Sequence, residues 1–301
     1  MAAMFGWLLK TTAWLCARLP RSWALALARH WGWLLAHAVR VRRQPTLDAL
    51  ARAFPEKTER ERQAIYAAVW RHQALNAMEL VRFAGGRARE LSARLEVRGE
   101  DHVKTALARG KGVLVLIAHF GNYPLLALEV PKLFGYPLAA IAKPLKNKTL
   151  NAIWWDLQRQ AGVNGIPARN AYRASVRALR DNALVGFMID QNRPGNQGVF
   201  VDFFGRLAST TPGLAFMSAQ TGAPVVPVFM RRLPDGRHLV EVRAPIEPPP
   251  DRAAETIRAH TAAYTKIIEA EIRRYPDQWL WLHKRWKTRP PGGDSPAPAA
   301  T

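Results

Sequence analysis

The feature that most constrains this chain is a change of pattern that begins near residue 95. From there, short runs of apolar and β-branched residues alternate with stretches of helical periodicity. That alternation predicts an α/β fold with a mixed, mainly parallel sheet flanked by helices. The predicted strands are 95–97, 113–117, 138–142, 185–189, 225–229 and 239–242. The predicted helices are 101–109, 123–134, 147–161, 171–181, 212–221 and 251–274.

The first 44 residues have a different character. Residues 4–39 are mostly apolar, and five of the chain's 11 tryptophans lie before residue 34. Four cationic residues interrupt the run, and Pro20 divides it, whereas a spanning helix needs about 20 largely uncharged residues. Tryptophan side chains favour the boundary between membrane and water. We therefore predict that residues 1–44 are membrane-associated helices lying in one leaflet. A buried helical hairpin is the alternative.

The remaining boundaries follow from local signals. Residues 45–94 are predicted to form a helical region packed on the core. Within it, Thr58 and Glu61 have the spacing of a capping box and predict the start of a long helix. The α/β domain is assigned to residues 95–289, and the Pro-, Ala- and Gly-rich end, 290–301, is predicted to be a disordered tail.

The charge limits the partners. The chain has 44 Lys and Arg against 23 Asp and Glu, a formal charge of +21, which attracts polyanions such as nucleic acid, anionic lipid or an acidic protein. The basic residues are spread along the whole chain, and the start is rich in tryptophan. This favours a membrane surface, so no nucleic-acid partner is expected. One cysteine and scattered histidines give no ligand spacing, so neither a metal nor another cofactor is expected.

The segment 112–124 carries the most chemical information. An apolar strand ends there and is followed by His119, Gly121 and Asn122 in a strand-to-helix turn. Ligands of open α/β sheets bind at the carboxyl ends of the strands. An imidazole at that place, with an ordinary pKa near 6.5, can act as a general base. His119 is therefore the predicted catalytic base, and a purely structural histidine is the alternative.

Six segments occur in order along the chain. They are AHFGN (118–122), IAKPL (141–145), GFMIDQN (186–192), GVFVDFFGRLASTTPG (198–213), TGAPVVPVF (221–229) and YPDQWLWLHKRWKTRP (275–290). Together they resemble the late acyltransferases of lipid A biosynthesis, the lauroyl and myristoyl transferases of the lysophospholipid acyltransferase superfamily. The resemblance extends over nearly the whole chain. It implies a fold like that of glycerol-3-phosphate acyltransferases.

The resemblance also implies a reaction and a place. A fatty acyl chain would pass from acyl-carrier protein, or from acyl-CoA, to a hydroxyl of a lipid A precursor or a related anionic membrane lipid. The expected location is the cytoplasmic face of the inner membrane. No serine has the surroundings of a nucleophile elbow, so we expect direct transfer without an acyl-enzyme.

At one position the chain departs from the family's pattern. The family's catalytic pair is a histidine followed five positions later by a carboxylate, and here that position is Pro124. Proline can neither orient the imidazole ring nor stabilise the imidazolium. Glu129 lies about 140° round the helix from position 124 and is a poor substitute. Asp190, at the end of the predicted strand 185–189, would reach a neighbouring carboxyl edge and is a better candidate.

Three interpretations of this departure stay open. Asp190 supplies the missing carboxylate, or His119 works alone or with a backbone carbonyl, or the protein keeps the fold as a catalytically silent lipid-binding or scaffold homologue. We favour a working enzyme because the other segments are intact. The predicted catalytic residues are then His119 and Asp190.

The resemblance further suggests substrate-binding roles for Asn122, Lys143, Gln191, Arg206, Thr210 and Thr211. Lys143 stands where the family offers a cation to phosphate or acidic sugar groups, with a solvated surface lysine as the alternative. Arg206 suits phosphate because its guanidinium is a planar fork. Thr210 or Thr211 can cap the helix that Pro212 begins, which alone would explain the threonines.

The final block, with Trp279, Trp281 and Trp286 beside three basic residues, is open to several interpretations. Such side chains can form a second amphipathic contact with a membrane, or line a groove for an acyl chain. They can equally be core aromatics.

Overall fold

The computed structural model describes residues 2–168 and 171–290, so the predicted tail lies, except for its first residue, outside the described residues. Helices precede the sheet: α1 (Ala2–Arg18), α2 (Arg21–His37), α3 (Arg43–Ala53), α4 (Glu59–Arg82) and α5 (Ala88–Ser92). The capping box that was predicted to begin the long helix is present, because Thr58 and Glu61 bond each other's backbone N–H.

From residue 95 strands and helices alternate, and the described part of the chain contains nine strands where the sequence predicted six. The strands are β1 (Leu95–Arg98), β2 (Val113–Ile117), β3 (Leu138–Ala142), β4 (Val163–Pro167), β5 (Leu184–Met188), β6 (Val199–Phe203), β7 (Arg206–Thr210), β8 (Val225–Arg232) and β9 (His238–Val242). The helices are α6 (Asp101–Leu107), α7 (Tyr123–Phe134), α8 (Lys148–Gln160), α9 (Ala171–Arg180), α10 (Gly213–Thr221) and α11 (Ala254–Arg274).

The main sheet has seven strands in the order β1-β9-β8-β2-β5-β3-β4. Every neighbouring pair is parallel except β8 with β9. The prediction of a mixed, mainly parallel sheet flanked by helices is therefore confirmed. The two strands β6 and β7 form a separate antiparallel hairpin. Strand β2 is buried on both faces, as the central strand of a sheet covered by helices should be.

The helices cover the two faces of the sheet with separate cores. Leu114 and Leu116 of β2 pack in one cluster with residues from α3, α4, α9, α10 and α11. Val113, Val115 and Ile117 point to the other face, where the cluster includes residues from α5, α6 and α7. The helices of residues 45–94 thus contribute to both cores.

The N-terminal helices α1 and α2 leave their tryptophans in solvent. Helix α2 packs through small residues, and at Gly32 a Cβ would lie 2.8 Å from the backbone of α4, so the two helices approach closely. Trp23 is 71% exposed, and Trp7, Trp14, Trp31 and Trp33 are also exposed. Among the described residues, no helix combines the length and the apolar character that crossing a bilayer requires. Membrane association of residues 1–44 stays a prediction.

Candidate active site

The register of the sheet brings His119 and Asp190 together. In the parallel pair of β2 and β5, Ile117 lies opposite Met188. Each functional residue follows two positions later, so the chain leaves both strands at the same carboxyl edge and delivers an imidazole beside a carboxylate. The contact that the sequence predicted between the two strand ends is therefore present.

The carboxylate of Asp190 accepts three hydrogen bonds. Its Oδ1 lies 2.9 Å from Nδ1 of His119, and its Oδ2 accepts the backbone N–H of His119 at 2.9 Å and the indole N–H of Trp279 at 2.8 Å. Asp190 is only 1% exposed. Three donors on a buried carboxylate keep it ionised without contact to water.

The two groups shift each other's pKa in opposite directions. Burial alone would raise the pKa of Asp190, but the imidazole charge and the hydrogen bonds lower it to about 2. Burial alone would lower the pKa of His119, but the charge and hydrogen bond of Asp190 outweigh it and raise the pKa above its usual value. Because the carboxylate accepts a hydrogen bond from the N–H at Nδ1, the neutral ring carries its lone pair on Nε2.

That lone pair faces the open side of the site. The side chain of His119 is 17% exposed, and the amide nitrogen of the exposed Gln191 lies 3.0 Å from Nε2. The ring of Tyr123 packs edge-on against the imidazole with centroids 4.9 Å apart. Burial and then the charge of Asp190 raise the pKa of Tyr123 to about 12, so its hydroxyl stays protonated. Gln191 thus places a hydrogen-bond donor beside Nε2, and Tyr123 packs its ring against the imidazole.

Although position 124 is a proline, the imidazole of His119 has a carboxylate partner in this structure, that of Asp190. Helix α7 begins at Tyr123, and Pro124 occupies its first turn, where a missing N–H breaks no hydrogen bond. Glu129 is buried on the same helix and accepts a hydrogen bond from Ser92 at 2.8 Å, so it is engaged elsewhere. Of the three interpretations left open by the sequence, the contact geometry favours Asp190 as the partner. Its catalytic role stays a proposal.

The segment after α11 holds the His119 loop from the other side. The backbone N–H of Leu280 donates to the carbonyl of His119 at 3.0 Å, and the N–H of Gly121 donates to the carbonyl of Gln278 at 2.8 Å. Trp279 and Trp281 are each 1% exposed, so the alternative that they are core aromatics is the correct one. Gly121 has φ of +57°, and a Cβ there would lie 1.7 Å from a carbonyl oxygen of β8, so only glycine fits.

Behind the loop lies a buried polar cluster centred on Glu79. This carboxylate accepts hydrogen bonds from Arg232 at 2.5 and 2.7 Å, from His238 at 3.0 Å and from Asn122 at 2.8 Å. Burial alone would raise the pKa of Glu79, but the bonds from Arg232 and His238 hold it well below its usual value. Asn76 also joins the cluster to the loop, since its amide donates to the carbonyl of Gly121 at 2.7 Å.

The structure corrects the substrate-binding role predicted for Asn122. Its side chain is fully buried, with the amide nitrogen on Glu79 and the amide oxygen accepting the N–H of Leu125 at 3.2 Å. It therefore caps α7 and positions the loop rather than facing a ligand. An asparagine directly before a helix start is a capping signal that the sequence contained.

The substrate-binding role predicted for Thr210 is also wrong, because this side chain is buried too. It is fully buried, donates to the carbonyl of Ala208 at 3.0 Å and accepts a hydrogen bond from Arg285. Thr211 accepts the N–H of Gly213, the first residue of α10, at 3.3 Å. The side chain of Thr211 is thus engaged at the start of the helix, although the N-cap residue itself is Pro212.

Lys143 and Arg206 are not part of the cluster around His119. Lys143 is exposed directly after β3, and Arg206 is exposed at the tip of the β6–β7 hairpin. Within the part of the chain that the structure describes, neither side chain makes a hydrogen bond or an ion pair, although the backbone of Arg206 pairs with β6. Their roles as phosphate ligands stay predictions.

Two of the basic residues beside the final tryptophans, to which the sequence assigned no catalytic role, lie next to the site. Arg285 is 1% exposed and donates to the carbonyl of Ser209 at 2.7 Å. His283 accepts the backbone N–H of Asn192 at its Nε2, at 2.9 Å. Their only sequence signal was their place in the closing basic block. A cavity of about 490 Å³ lies at the opposite end of the sheet, between α9 and the amino ends of β3 and β5, and is lined by none of the predicted site residues.

An imidazole that is oriented by a buried carboxylate, with its Nε2 on the exposed side, has the geometry of a general base. Comparison with known proteins identifies the reaction class. A family model described as "Bacterial lipid A biosynthesis acyltransferase" matches residues 1–288, so the chain belongs to that family. It is accordingly an O-acyltransferase.

Three relatives are similar over most of their length. The lipid A biosynthesis lauroyltransferase of Escherichia coli strain K12 is 29% identical over 294 residues, which cover 95% of this chain and 92% of the relative. The lipid A biosynthesis palmitoleoyltransferase of the same strain is 29% identical over 292 residues, with 94% and 90% covered. The phosphatidylinositol mannoside acyltransferase of Mycolicibacterium smegmatis is 27% identical over 236 residues, with 77% and 73% covered.

Proposed function

We propose that this protein transfers a fatty acyl chain to a hydroxyl of a lipid A precursor, with His119 as the general base. The observation that carries the proposal is the hydrogen bond between His119 and the buried Asp190. It supplies the orientation and the charge that the proline at position 124 cannot. The names of the two relatives from Escherichia coli support lipid A as the acceptor class.

In the proposed mechanism, the acceptor hydroxyl takes the place that the amide of Gln191 occupies at Nε2 of His119. Nε2 removes the hydroxyl proton while the oxygen attacks the carbonyl carbon of the acyl thioester. The carbon–sulfur bond then breaks, and the leaving thiolate takes the proton from the imidazolium. Asp190 stabilises the imidazolium between the two proton transfers, as the acid of a triad does.

The tetrahedral intermediate needs donors for its oxyanion. The amide of Gln191, which lies 3.0 Å from Nε2 and would be displaced by the acceptor, is one candidate donor. The hydroxyl of Tyr123, whose ring packs against the imidazole, is a second candidate. One such donor contributes about 3 kcal/mol to transition-state stabilisation in enzymes of this kind of chemistry. Gln191 is thus kept as a substrate-binding residue in the proposal.

The donor and the location are part of the same proposal. The formal charge of +21 suits an acidic acyl-carrier protein and an anionic lipid surface. The exposed tryptophans of α1 and α2 would enter the interfacial region of the inner membrane from the cytoplasmic side, with the arginines at 40, 42 and 43 facing anionic head groups. No cofactor enters the scheme, since acyl-carrier protein or acyl-CoA is a substrate.

The decisive experiment compares the wild type with His119→Ala in radiolabelled acyl transfer from acyl-carrier protein to a lipid A precursor. We expect a loss of about 10³-fold, because a positioned general base contributes about 10² to 10⁴. The matched control is His102→Ala. His102 lies on α6, which precedes β2 and does not contribute to the carboxyl edge where His119 lies, so this variant should retain activity. Equal activity of His119→Ala and wild type would refute the base. A wild type that binds the lipid but transfers nothing would favour the silent homologue.

A further inference from the structure

A small cleft on the side of His283 has the chemistry of an anion site. It has a volume of about 250 Å³ and lies between α3 and the segment 283–287; we call it the α3 cleft. Helix α3 contributes Asp48 and Arg52 to its lining, and the facing wall consists of five consecutive residues that begin at His283. Four side chains of the lining are cationic: Arg52, Lys284, Arg285 and Lys287.

These charges are not neutralised within the molecule. In the described residues none of the four cations forms an ion pair with a carboxylate. Asp48, the single carboxylate of the lining, accepts a hydrogen bond from Gln44 at 2.8 Å and forms no ion pair there either. The cleft therefore presents several positive charges to whatever enters it, and its preferred ligand carries more than one negative charge.

Two buried donors in the wall of the cleft lack acceptors. Arg285 is 1% exposed, and its Nε finds no hydrogen-bond partner among the described residues. The indole nitrogen of Trp286 is likewise buried without a partner. Buried N–H groups are usually satisfied in folded proteins, and both of these belong to residues that line the cationic cleft. Oxygens of a phosphate group are acceptors of the required kind.

The cleft is connected to the active site through His283. The Nε2 of this ring accepts the N–H of Asn192, which lies two residues beyond Asp190. The neutral ring then carries its proton on Nδ1 and keeps a donor there. Arg42, in the turn between α2 and α3, donates to the carbonyl of Leu282 at 2.8 Å. The cleft thus adjoins both the catalytic dyad and the end of the tryptophan-bearing helix α2.

We propose that the α3 cleft binds a phosphate monoester on the head group of the membrane-bound acceptor. This inference rests on the proposed function, because it assigns the acceptor a lipid. Membrane association through α1 and α2 would bring a head group, rather than a soluble anion, to the cleft. The phosphate would be held by Lys284 and Lys287, while a hydroxyl of the same head group reaches His119.

The test measures binding to vesicles rather than activity. Phosphatidylcholine vesicles containing phosphatidic acid present a phosphate monoester, and vesicles containing phosphatidylglycerol at the same surface charge present only a diester. We expect wild type to prefer the first kind. The double variant Lys284→Gln, Lys287→Gln should lose about tenfold in affinity for phosphatidic acid vesicles, as expected for the loss of charge-assisted contacts. Both lysines are exposed, so the fold should tolerate the changes.

A matched control removes the same charge elsewhere. Lys111 and Lys132 are exposed and lie outside the cleft, so the double variant Lys111→Gln, Lys132→Gln should keep the preference for phosphatidic acid. An equal loss in both double variants would show bulk electrostatic attraction and overturn the proposal. A wild type without any preference would also overturn it. The cleft variant could instead lose the binding of inorganic phosphate and keep the preference for phosphatidic acid vesicles. That result would overturn the assignment of the site to a lipid head group.

An activity measurement separates this proposal from the function it rests on. With a phosphorylated lipid acceptor, the cleft variant should show a KM about tenfold higher and an unchanged kcat, because the chemistry at His119 is untouched. A fall in kcat with an unchanged KM would contradict a binding role. If wild type transfers no acyl group at all yet still prefers phosphatidic acid through the two lysines, the proposed function fails and the site stands.

Discussion

Replacing Asp190 by asparagine tests the proposed dyad with almost no change of shape. The asparagine oxygen can still accept the backbone N–H of His119 and the indole N–H of Trp279, which now bond Oδ2. Its NH₂ group then faces Nδ1 of His119, where the carboxylate oxygen stood at 2.9 Å. Nδ1 must become the acceptor, and the ring proton moves to Nε2. The nitrogen that should remove the acceptor's proton is then blocked.

The size of the effect follows from this change of tautomer. The corresponding substitution in a Ser-His-Asp triad lowers kcat by about 10⁴, and we expect a loss of that order for Asp190→Asn. The activity of wild type should rise with pH as the imidazole loses its proton, with a midpoint above 6.5 because Asp190 raises the pKa of His119. Residual activity of the variant should show a midpoint shifted to lower pH.

The same substitution should also change how the free energy of unfolding depends on pH. The pKa of Asp190 falls from 3.8 to about 2 on folding. A carboxylate with a lowered pKa stabilises the fold above its unfolded pKa, and this contribution, about 2 kcal/mol, is lost as the pH falls from about 4 towards 2. Urea unfolding from pH 6 downwards should show this loss in wild type and not in Asp190→Asn.

The assay is single-turnover acyl transfer with purified protein, which reports chemistry rather than product release. Asp202→Asn is the control, since that half-buried carboxylate pairs with Lys266 on α11 and does not contact the imidazole. A variant Asp190→Asn with more than about a tenth of the wild-type kcat would refute the view that this carboxylate fixes the tautomer.

Two further substitutions probe what surrounds the dyad. Glu79→Ala should lower the free energy of unfolding by about 3 to 5 kcal/mol, because it leaves the buried guanidinium of Arg232 unpaired, and urea titration with the exposed Glu255→Ala as control checks this. Pro124→Glu restores the family's carboxylate position but should not raise kcat above about twofold, because the imidazole already has its acid. A large gain would mean that Asp190 is an inadequate partner.

The residues at which the strands end could be predicted from the sequence, but the order in which the strands pair could not. His119 and Asp190 each follow a run of apolar residues, so both were expected at a carboxyl edge. That β5 pairs directly with β2 depends on the crossovers of the chain, which no local pattern encodes. Strand β4 escaped notice because Asn164, Gly165 and Pro167 weaken its strand pattern. At the edge of the sheet, where β4 lies, such residues are tolerated.

The β6–β7 hairpin and the buried polar residues show a second limit. The turn at Phe204 and Gly205 has positive φ at both residues, which is the geometry of a two-residue hairpin. The hairpin carries Arg206 and Thr210, for which the resemblance had suggested substrate-binding roles. Asn122 and Thr210 are polar residues within the segments that carry the family resemblance, which suggested that they bind ligands. Their burial comes from α4 and from the closing segment, and the partner that Thr210 meets, Arg285, is 75 positions away.

The contacts of Gln278, Trp279 and Leu280 with the His119 loop determine when the site can form as the protein is synthesised. During translation the histidine leaves the ribosome long before the indole that steadies its carboxylate. A nascent chain that ends between residues 233 and 277 contains the central strands of the sheet, but it lacks the residues that hold the His119 loop and the indole that donates to Asp190. The geometry of the dyad is therefore complete only after the segment 278–280 has folded against the His119 loop.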